Sequence, residues 1–501
     1  MTHLHYDLCI IGGGINGAGI ARDAAGRGLS VLLVDAADLA GATSSSSTKL
    51  IHGGLRYLEY YEFLMVRGAL KEREVLYRNA PHVIRPLQCI IPQPNDMLQR
   101  PEWMLRAGLW LYDHLGGKKS LPNSKIVDFS TDSAGAPLKE DIVDGFSYYD
   151  CWVDDTRLVI LNAVDAASRG ARILTHTKCD ALNLQDGRWL VSLRDVQSND
   201  LLDISASMVV NATGPWVGQF LEDVGVSEGD PDLPKVRLVK GSHLILPRQY
   251  DGDQAYVLQQ PDGRIVFVTP YEGDYTLIGT TEEDFDGDPR DAMASDAEVS
   301  YLCAAYNRYF ARGIKASDAI FTFSGVRPLL DDGSESSSAV TRDYRIYHHT
   351  RYEVPLLSVY GGKLTTYRAL SQEVVGKLMR LSGRVSGRWT AGEALIGGDF
   401  DGMGFDEYFA RQRKLYPWLP VKILTRYLRN YGTRMDFILS DKEELSQLGK
   451  HYGDGIYQAE IDYLVTCEWA ISAEDIIWRR SKLGLHISEK TIQNIEAALA
   501  S

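Results

Sequence analysis

Three glycines near the start of the chain have the spacing of a turn that binds a dinucleotide. Gly12, Gly14 and Gly17 form the pattern GxGxxG between an apolar run, Tyr6–Ile11, and a helical pattern, Ile20–Arg27. In such a turn the first glycine permits the tight bend, the second lets the backbone approach a pyrophosphate, and the third lets the helix pack closely on the strand. The free N–H groups and the dipole of the helix N-terminus stabilise the phosphates. The segment therefore predicts a strand–turn–helix unit that binds a dinucleotide.

An acidic residue at the end of the next strand supports this interpretation. Ser30–Val34 is apolar and precedes Asp35. A carboxylate at this position accepts hydrogen bonds from ribose hydroxyls and repels a 2′-phosphate, which disfavours NADP. The alternative is a glycine-rich turn that binds nothing, but strand, helix, strand and acid in this order favour a cofactor.

A run of hydroxyl side chains follows the second strand. Residues 41–49 read GATSSSSTK and lead into the sequence HGGLRY at 52–57. A serine run is often a solvated linker, but a linker seldom continues into paired glycines, a histidine and an arginine. Because the hydroxyls offer many hydrogen-bond donors, we interpret the segment as part of a binding site.

Two later segments add glycine turns of the same kind. An apolar strand at Ser207–Val210 leads into NATGPW at 211–216, where small residues let the chain pass close to a nucleotide. Gly361 and Gly362 precede a helical pattern, so they predict a second helix N-terminus that faces a polar ligand.

Six motifs together resemble the FAD-dependent glycerol-3-phosphate dehydrogenases of the respiratory, quinone-reducing type. They occur in the family's order: IGGGINGAG (11–19), ATSSSSTKLIHGGLRYLE (42–59), NATGPW (211–216), KGSH (240–243), SGVRPL (324–329) and GGKLTTYR (361–368). Single motifs are shared with many flavin-dependent amine oxidases, whereas the combination of HGGLRYLE, GVRPL and GGKLTTYR is much more specific. Asp35 stands where glutamate is commoner, and the serine run and the C-terminal part vary from the family pattern. GxGxxG does not choose between FAD and NAD; the resemblance implies FAD.

The resemblance implies an α/β fold with a doubly wound FAD-binding domain, an inserted antiparallel substrate-binding sheet and a helical C-terminal domain. We expect the first two in residues 1–388 and the third in residues 389–501, after a glycine-rich linker near 397–404. We expect the inserted sheet to contain the segments with strand-like alternation, which are Arg188–Leu193, Val236–Leu246, Ala255–Leu258, Arg264–Thr269 and Tyr275–Gly279. Helical patterns in the C-terminal part are Ala459–Trp469 and Ala473–Lys482.

The reaction that the resemblance implies is oxidation of sn-glycerol 3-phosphate to dihydroxyacetone phosphate, with electrons passing through FAD to a membrane quinone. A dianionic phosphate needs cations, the hydroxyl needs a base, and the developing alkoxide needs a positive charge. The resemblance places five residues at the substrate: Arg56, Tyr57, His243, Arg327 and Lys363.

Histidine is the natural base near neutral pH. We expect His243 to be the catalytic base, with His52 as a rival nearer the flavin, while Arg327 or Lys363 stabilises the alkoxide. The expected FAD-binding residues are Gly12, Gly14, Gly17, Asp35, Thr43, Ser44, Ser47, Lys49, Leu50, His52, Gly214, Gly362, Leu364 and Thr365.

The composition excludes several other classes of protein. The chain has 501 residues and a net charge of −14, with 45% hydrophobic and 24% charged residues. This is the balance of a globular enzyme of two or three domains, not of a collagen, a coiled coil or a disordered chain. The acidic balance disfavours nucleic acid as a partner. The six cysteines contain no CxxC pair, and no clustered Cys/His pattern predicts a metal site.

The sequence also bears on location. No apolar run is long enough to span a bilayer, and a strand that starts at residue 6 leaves no room for a targeting peptide. We therefore expect a cytoplasmic protein that attaches peripherally to the cytoplasmic face of the inner membrane, where the quinone resides. The sequence leaves open whether the chain forms a homodimer.

Two segments could contact an anionic membrane surface. Trp103–Tyr112 is apolar and aromatic, and Arg411–Arg434 contains seven basic and no acidic residues among interleaved aromatics. The first could instead be a core helix, and the second a solvated helix packed on the acidic remainder of the chain.

Three other functions remain as alternatives at this stage. One is an oxidase of the same fold that transfers electrons to oxygen. Another is an amino-acid oxidase-like enzyme, in which Arg327 binds a carboxylate. The third is a flavin-binding redox sensor without turnover. No motif decides the acceptor, because access of oxygen depends on cavities beside the flavin.

Overall fold

The computed structural model describes residues 4–94, 102–117, 119–226, 232–331 and 343–500. The strands are β1 (Leu4–Tyr6), β2 (Leu8–Ile11), β3 (Val31–Val34), β4 (Leu50–Ile51), β5 (Ile84–Pro92), β6 (Lys125–Asp128), β7 (Asp144–Val153), β8 (Arg172–Leu174), β9 (Thr177–Gln185), β10 (Arg188–Asp195), β11 (Leu201–Ala206), β12 (Val209–Asn211), β13 (Val236–Pro247), β14 (Ala255–Gln259), β15 (Ile265–Tyr271), β16 (Tyr275–Gly279), β17 (Glu283–Asp284), β18 (Phe321–Leu330), β19 (Tyr344–His348), β20 (Leu356–Gly361), β21 (His451–Gly453) and β22 (Ile456–Tyr457). The α-helices are α1 (Ile15–Gly26), α2 (Phe63–Asn79), α3 (Glu102–Leu115), α4 (Asp155–Ser168), α5 (Val217–Asp223), α6 (Asp296–Tyr309), α7 (Tyr367–Leu381), α8 (Phe405–Leu415), α9 (Val421–Tyr431), α10 (Asp436–Leu439), α11 (Gln458–Glu468) and α12 (Glu489–Leu499), and Asp475–Arg480 is π-helical.

A six-stranded sheet carries the glycine turns at one edge. Its strand order is β19-β20-β12-β2-β3-β8, and neighbouring strands are parallel except for β19 with β20. Helices α1, α4 and α7 cover one face, and residues of β9, β10 and β11 pack on the other. Burial on both faces explains why the sequences of β2 and β3 are continuously apolar. The predicted α/β fold class is confirmed.

The first strand–helix unit differs from its prediction at two boundaries. The apolar run at 6–11 is divided between β2 and β1, and β1 pairs with β11 in a separate four-stranded sheet of order β1-β11-β10-β9. Helix α1 begins at Ile15 and not at the predicted Ile20. Gly17 and Gly19 lie in its first turns, where their missing side chains allow close contact with Gly12 and Tyr367, respectively.

A ten-stranded sheet lies opposite the glycine turns. Its order is β17-β13-β16-β15-β14-β5-β7-β4, with β18 paired to β13 and β6 to β7, and its pairs are antiparallel except for β14 with β5. Strands β13 to β16 correspond to four of the predicted segments. The fifth, Arg188–Leu193, is part of β10 in the four-stranded sheet, so its assignment to the substrate sheet is wrong. Alternation identifies a half-buried strand but does not name the partner strand.

The C-terminal part has a hydrophobic core of its own. Helices α8 to α12, the β21–β22 hairpin and the π-helical segment contribute residues from Phe400 to Ile495. The predicted helix Ala459–Trp469 corresponds to α11, but Ala473–Lys482 contains the π-helical turn in place of a regular α-helix. Within the described ranges, no helix is both long and apolar enough to cross a bilayer.

Much of the basic segment Arg411–Arg434 faces the interior of this C-terminal part. Tyr427 and Tyr431 are fully buried in its core. Arg426 forms a buried ion pair with Glu460. Of the two interpretations that the sequence left open for this segment, packing inside the protein therefore applies to Tyr427 and Tyr431, which lie in the core with residues of α11.

Candidate functional site

A cavity of about 1320 Å³ lies between the carboxyl edge of the six-stranded sheet and the ten-stranded sheet. Residues that follow β2, β3, β12 and β20 line one side, and residues of β14, β15 and β18 line the other. Most residues selected from the sequence line it: Gly12, Gly14, Asp35, Thr43, Ser44, Ser47, Leu50, His52, Arg56, Tyr57, Gly214, Arg327, Gly362, Lys363, Leu364 and Thr365. Gly17, Lys49 and His243 are not among the lining residues.

The first glycine turn places the N-terminus of α1 at the cavity wall. Gly12 has φ +112°, and a Cβ there would lie 2.4 Å from the Ala212 carbonyl oxygen. A Cβ on Gly17 would lie 1.8 Å from the Gly12 carbonyl oxygen. Any side chain at either position would therefore push the turn away from β12 or from α1, while Gly14 leaves the backbone open to the cavity.

The acid at the end of β3 is oriented by the same turn. Asp35 Oδ2 accepts a hydrogen bond from the Gly13 N–H at 2.5 Å, and Oδ1 accepts one from the Ala37 N–H at 2.8 Å. Burial raises the pKa of this carboxyl above its usual value. Both oxygens retain acceptor capacity, so the side chain can still receive a hydroxyl donor from a ligand in the cavity.

Residues 43–49 differ in their positions: most line the cavity, but Lys49 does not. Ser44 Oγ accepts from the Ile15 N–H at 3.0 Å, and Thr43 Oγ1 donates to the Val326 carbonyl at 2.6 Å. Lys49, in contrast, is directed away from the cavity. Its Nζ is buried and lies 2.6 Å from Asp155 Oδ2. The structure therefore makes Lys49 a support of the loop and not a cavity residue.

Two further turns complete the dinucleotide side. Gly214 and Gly362 have φ values of +59° and +101°. Thr365 lies in the turn before α7, and its Oγ1 accepts from the His52 N–H at 3.2 Å and donates to the His52 carbonyl at 3.3 Å. The segment that follows the hydroxyl run is thus joined to the last glycine turn at His52.

Two cationic residues, Arg56 and Lys363, line the cavity next to tyrosine side chains. Lys363 Nζ lies 4.0 Å from the centroid of the Tyr57 ring. Arg56 precedes Tyr57 and donates from Nη2 to Tyr60 Oη at 3.3 Å. The ring centroid of His52 lies 6.4 Å from that of Phe267 on β15.

Arg327 is held from one side by the segment after β16. Its Nη2 donates to Thr280 Oγ1 at 3.0 Å, and its Nη1 lies 3.8 Å from Glu282 Oε1. A Cβ on Gly241 would lie 2.7 Å from Arg327 Nη2 and 2.5 Å from Thr280 Oγ1. The glycine of the KGSH motif therefore makes room for this guanidinium.

His243 lies behind the cavity wall. Its Nε2 is 3.2 Å from Thr48 Oγ1, a lining atom, and its ring stacks on Phe323 with centroids 4.7 Å apart. Burial, together with the charges of Lys49 and Arg327, lowers the pKa of this imidazole well below 6.5, so the ring is neutral at neutral pH. The sequence predicts that His243 contacts the substrate directly, but the structure places this side chain behind the residues that line the cavity.

Sequence reasoning does not single out Thr280, Glu282 or Phe267 as site residues, although all three line the cavity. Phe267 lies in a strand that the alternation predicts, but the pattern does not say which face meets a ligand. The available signal is Gly241, because a glycine inside a strand often marks a close approach by another group.

One trio of potential metal ligands lies outside the cavity, where Asp38, His176 and Asp475 come together. The Asp38 carboxylate is already paired with Arg480, and Asp475 with Arg479. Because the arginines occupy the acceptor positions, we do not assign a metal to the trio.

Two family models match the chain in succession. One, described as FAD dependent oxidoreductase, matches residues 7–368. The other, described as the C-terminal domain of alpha-glycerophosphate oxidase, matches residues 389–500.

Curated proteins are similar over nearly the whole chain. A D-erythritol 1-phosphate dehydrogenase of Brucella abortus is 46% identical, over 96% of this chain and 95% of its own. An aerobic glycerol-3-phosphate dehydrogenase of Escherichia coli has the same identity and the same shares. A glycerol-3-phosphate dehydrogenase of Pseudomonas aeruginosa is 46% identical over 96% of this chain and 93% of its own.

Solved structures share the architecture. A glycerol-3-phosphate dehydrogenase from Bacillus halodurans, complexed with FAD, superposes with a TM-score of 0.80 at 26% identity and covers 100% of this chain and 91% of that one. A glycine oxidase from Geobacillus kaustophilus, at 18% identity and a TM-score of 0.56 over 79% of this chain and 99% of that one, shares the fold alone.

Proposed function

Because the chain belongs to the family of FAD-dependent glycerol-3-phosphate dehydrogenases, we propose that it oxidises sn-glycerol 3-phosphate to dihydroxyacetone phosphate and passes the electrons to a membrane quinone. One observation carries this proposal: the glycine turns and the cations Arg56, Arg327 and Lys363 line the same cavity. The turns suit a dinucleotide, and the cations suit a small phosphorylated alcohol.

The residues of the dinucleotide side fit FAD. The N-terminus of α1 and the open backbone at Gly14 suit a pyrophosphate, and Asp35 suits a ribose hydroxyl. Thr43, Ser44 and Ser47 line the same cavity. When bound, FAD supplies the acceptor for the hydride that leaves the substrate carbon.

We place the substrate phosphate beside Arg56 and Lys363. Both residues line the cavity, where Lys363 lies over the Tyr57 ring and Arg56 donates to Tyr60. Arg327 has Glu282 beside its guanidinium, and that carboxylate would repel a phosphate dianion. Two cations supply more positive charge to the dianion than the single guanidinium of Arg327 does.

Arg327 and His52 then act on the reacting hydroxyl. A guanidinium held in place by Thr280 is suited to an oxygen that gains charge as its proton leaves. We assign the base to His52 because its side chain lines the cavity, whereas His243 stands behind Thr48. A neutral His243 would orient the Thr48 hydroxyl toward the substrate.

A surface at the cavity mouth suits the quinone and the membrane. We call it the aromatic rim; its residues are Tyr60, Tyr61, Leu64, Trp103, Met104 and Trp110, all exposed. Tyr60, Tyr61 and Met104 also line the cavity. Tryptophan and tyrosine favour the headgroup level of a bilayer. We propose that the rim contacts the anionic cytoplasmic face of the inner membrane and that the quinone reaches the cavity there.

A second substrate is favoured by a specific finding. The erythritol-phosphate enzyme of Brucella abortus is as similar to this chain as the glycerol-3-phosphate enzymes are. A four-carbon polyol phosphate would present the same phosphate and secondary hydroxyl to the same side chains. D-Erythritol 1-phosphate is therefore the competing substrate.

The test is to record visible absorption of the purified holoenzyme without oxygen before and after each candidate substrate. We expect sn-glycerol 3-phosphate to bleach the oxidised flavin band rapidly. Faster bleaching by D-erythritol 1-phosphate would make that compound the assigned substrate. Bleaching by glycine alone would favour the amino-acid oxidase alternative. A band that neither the two phosphates nor glycine bleaches would favour the redox sensor. Reoxidation of the reduced enzyme by a soluble quinone analogue, compared with oxygen, then separates dehydrogenase from oxidase.

A further inference from the structure

Four residues of the C-terminal part reach two loops at the cofactor end of the cavity. We propose that residues 479–482, the sequence RRSK, retain FAD by holding both loops in their binding conformation. The loops are the segment after β3, residues 35–41, and the hydroxyl run, residues 43–49. The proposal concerns the cofactor and does not depend on which alcohol is oxidised.

Two arginines hold the first loop. Arg480 makes a two-pronged ion pair with Asp38, with Nη2 at 2.8 Å from Oδ1 and Nη1 bound to Oδ2. Arg479 Nε lies 2.6 Å from Asp38 Oδ2. All of these charged groups are buried or nearly so. Asp38 follows three residues that line the cavity, Asp35 to Ala37, and its carbonyl accepts the Gly41 N–H at 3.1 Å.

A lysine holds the second loop through α4. Lys482 Nζ lies 2.9 Å from Asp155 Oδ1, at the first turn of α4. The other oxygen, Asp155 Oδ2, binds Lys49 Nζ at 2.6 Å and accepts from Ser47 Oγ at 2.7 Å. Lys49 Nζ also donates to the Ser45 carbonyl at 2.6 Å. Asp155 thus joins Lys482 to the Ser47 hydroxyl and, through Lys49, to the Ser45 carbonyl of the second loop.

Residues 479–482 are also connected to α4 through Glu468. Arg480 Nη2 donates to the Glu468 carbonyl at 2.7 Å. The Glu468 carboxylate forms a fully buried pair with Arg157 of α4, with Nη2 at 2.8 Å from Oε1. Because these ion pairs are buried, loss of one of them would leave a charge uncompensated beside a cofactor loop and not at a free surface.

The experiment compares Arg480→Met and Lys482→Met with Arg426→Met in the purified holoenzyme. Arg426 is the matched control because its buried pair with Glu460 lies within the C-terminal part and contacts neither loop. Flavin fluorescence reports FAD release, and circular dichroism reports unfolding. We expect both test variants to release FAD at least tenfold faster than the wild type and below their unfolding temperature. The control should release FAD only as it unfolds.

Release that follows unfolding in all three variants would overturn the proposal, because the segment would then contribute only general stability. If Arg480→Met does not fold, Arg480→Lys keeps the charge but loses the two-pronged geometry. We expect a smaller but measurable acceleration of FAD release from Arg480→Lys at an unchanged unfolding temperature. Wild-type release from that variant would equally overturn the proposal.

Discussion

Charge balance around Arg327 distinguishes the two ends of the proposed substrate site. Glu282 and Thr280 border its guanidinium, whereas Lys363 lies over the Tyr57 ring and Arg56 donates to Tyr60. An arginine paired with a carboxylate is less attractive to a dianion but remains a good donor to a single developing charge. The two ends should therefore respond differently to substitution.

Arg327→Ala should lower kcat/KM for sn-glycerol 3-phosphate by about 10- to 150-fold. A hydrogen bond to a charged group contributes about 1.5–3 kcal/mol, and about 1.4 kcal/mol is tenfold. We expect most of the loss in kcat, because the contact strengthens as the alkoxide forms. Steady-state kinetics of Arg56→Ala provide the comparison, with the loss mainly in KM. A reversed split would exchange the roles of the two arginines.

Glu282→Gln should lower the inhibition constant of inorganic phosphate, a competitive inhibitor, by up to about tenfold. Removal of one negative charge makes the net charge around Arg327 more positive. The same variant should lower kcat, since the guanidinium loses a partner that positions it. Glu283→Gln is the matched control, because Glu283 faces Lys240 at 3.6 Å and does not line the cavity. Equal phosphate inhibition in the two variants would show that Glu282 does not set the charge of the site.

At the scale of elements, α3 has one face in the protein and one in solvent. Leu109 and Tyr112 are buried against α2 and the ten-stranded sheet, while Trp103 and Trp110 are 69% and 62% exposed. The two tryptophans are seven residues apart, so they lie on the same face of the helix. A core helix would not expose both.

Replacing Trp103 and Trp110 together by serine should reduce sedimentation with anionic vesicles and lower quinone reduction. Activity with a water-soluble acceptor should stay near wild type, because neither tryptophan lines the cavity. Phe437→Ser is the control, since Phe437 is an exposed aromatic on α10. If the control or an Arg411→Gln, Arg413→Gln, Lys414→Gln variant loses vesicle binding instead, the membrane contact lies in the C-terminal part.

At the scale of the whole molecule, buried charges join the C-terminal part to the rest of the chain. Lys482 meets Asp154 and Asp155 at the start of α4. Glu272, at the end of β15, belongs to the same electrostatic environment. Burial and repulsion from Asp154 raise the pKa of Glu272 to about 7, against partial compensation by Lys482.

This raised pKa predicts a specific pH dependence of stability. Between about pH 4.5 and 7 the unfolded chain ionises Glu272 while the folded protein keeps it neutral, so the free energy of unfolding falls as pH rises. Glu272→Gln should remove this pH-dependent loss. The difference in free energy of unfolding between the variant and the wild type should therefore grow in favour of the variant from about pH 5 to about pH 7 and then level off. Thermal unfolding across that range is the measurement. Parallel curves for the two proteins would contradict the assignment.

Local sequence was sufficient for the features that depend on backbone freedom and periodicity. The turn at Gly12 to Gly17 could be located because only glycine tolerates its φ and its contact distances. The strands from Val236 to Gly279 could be located because alternation over a few residues reports a half-buried surface. These properties are set by residues close together in the chain.

Tertiary structure decided what depends on contacts between distant residues. Whether His243 or His52 faces the cavity depends on how β13 packs against the hydroxyl run, and Lys49 turns inward because Asp155 lies behind it. Glu282 joins the site only because β18 lies beside β13. The sequence by itself determined which turns can bind a dinucleotide and which segments form strands. The tertiary structure decided which charges meet, because burial and pairing depend on partners far apart in the chain.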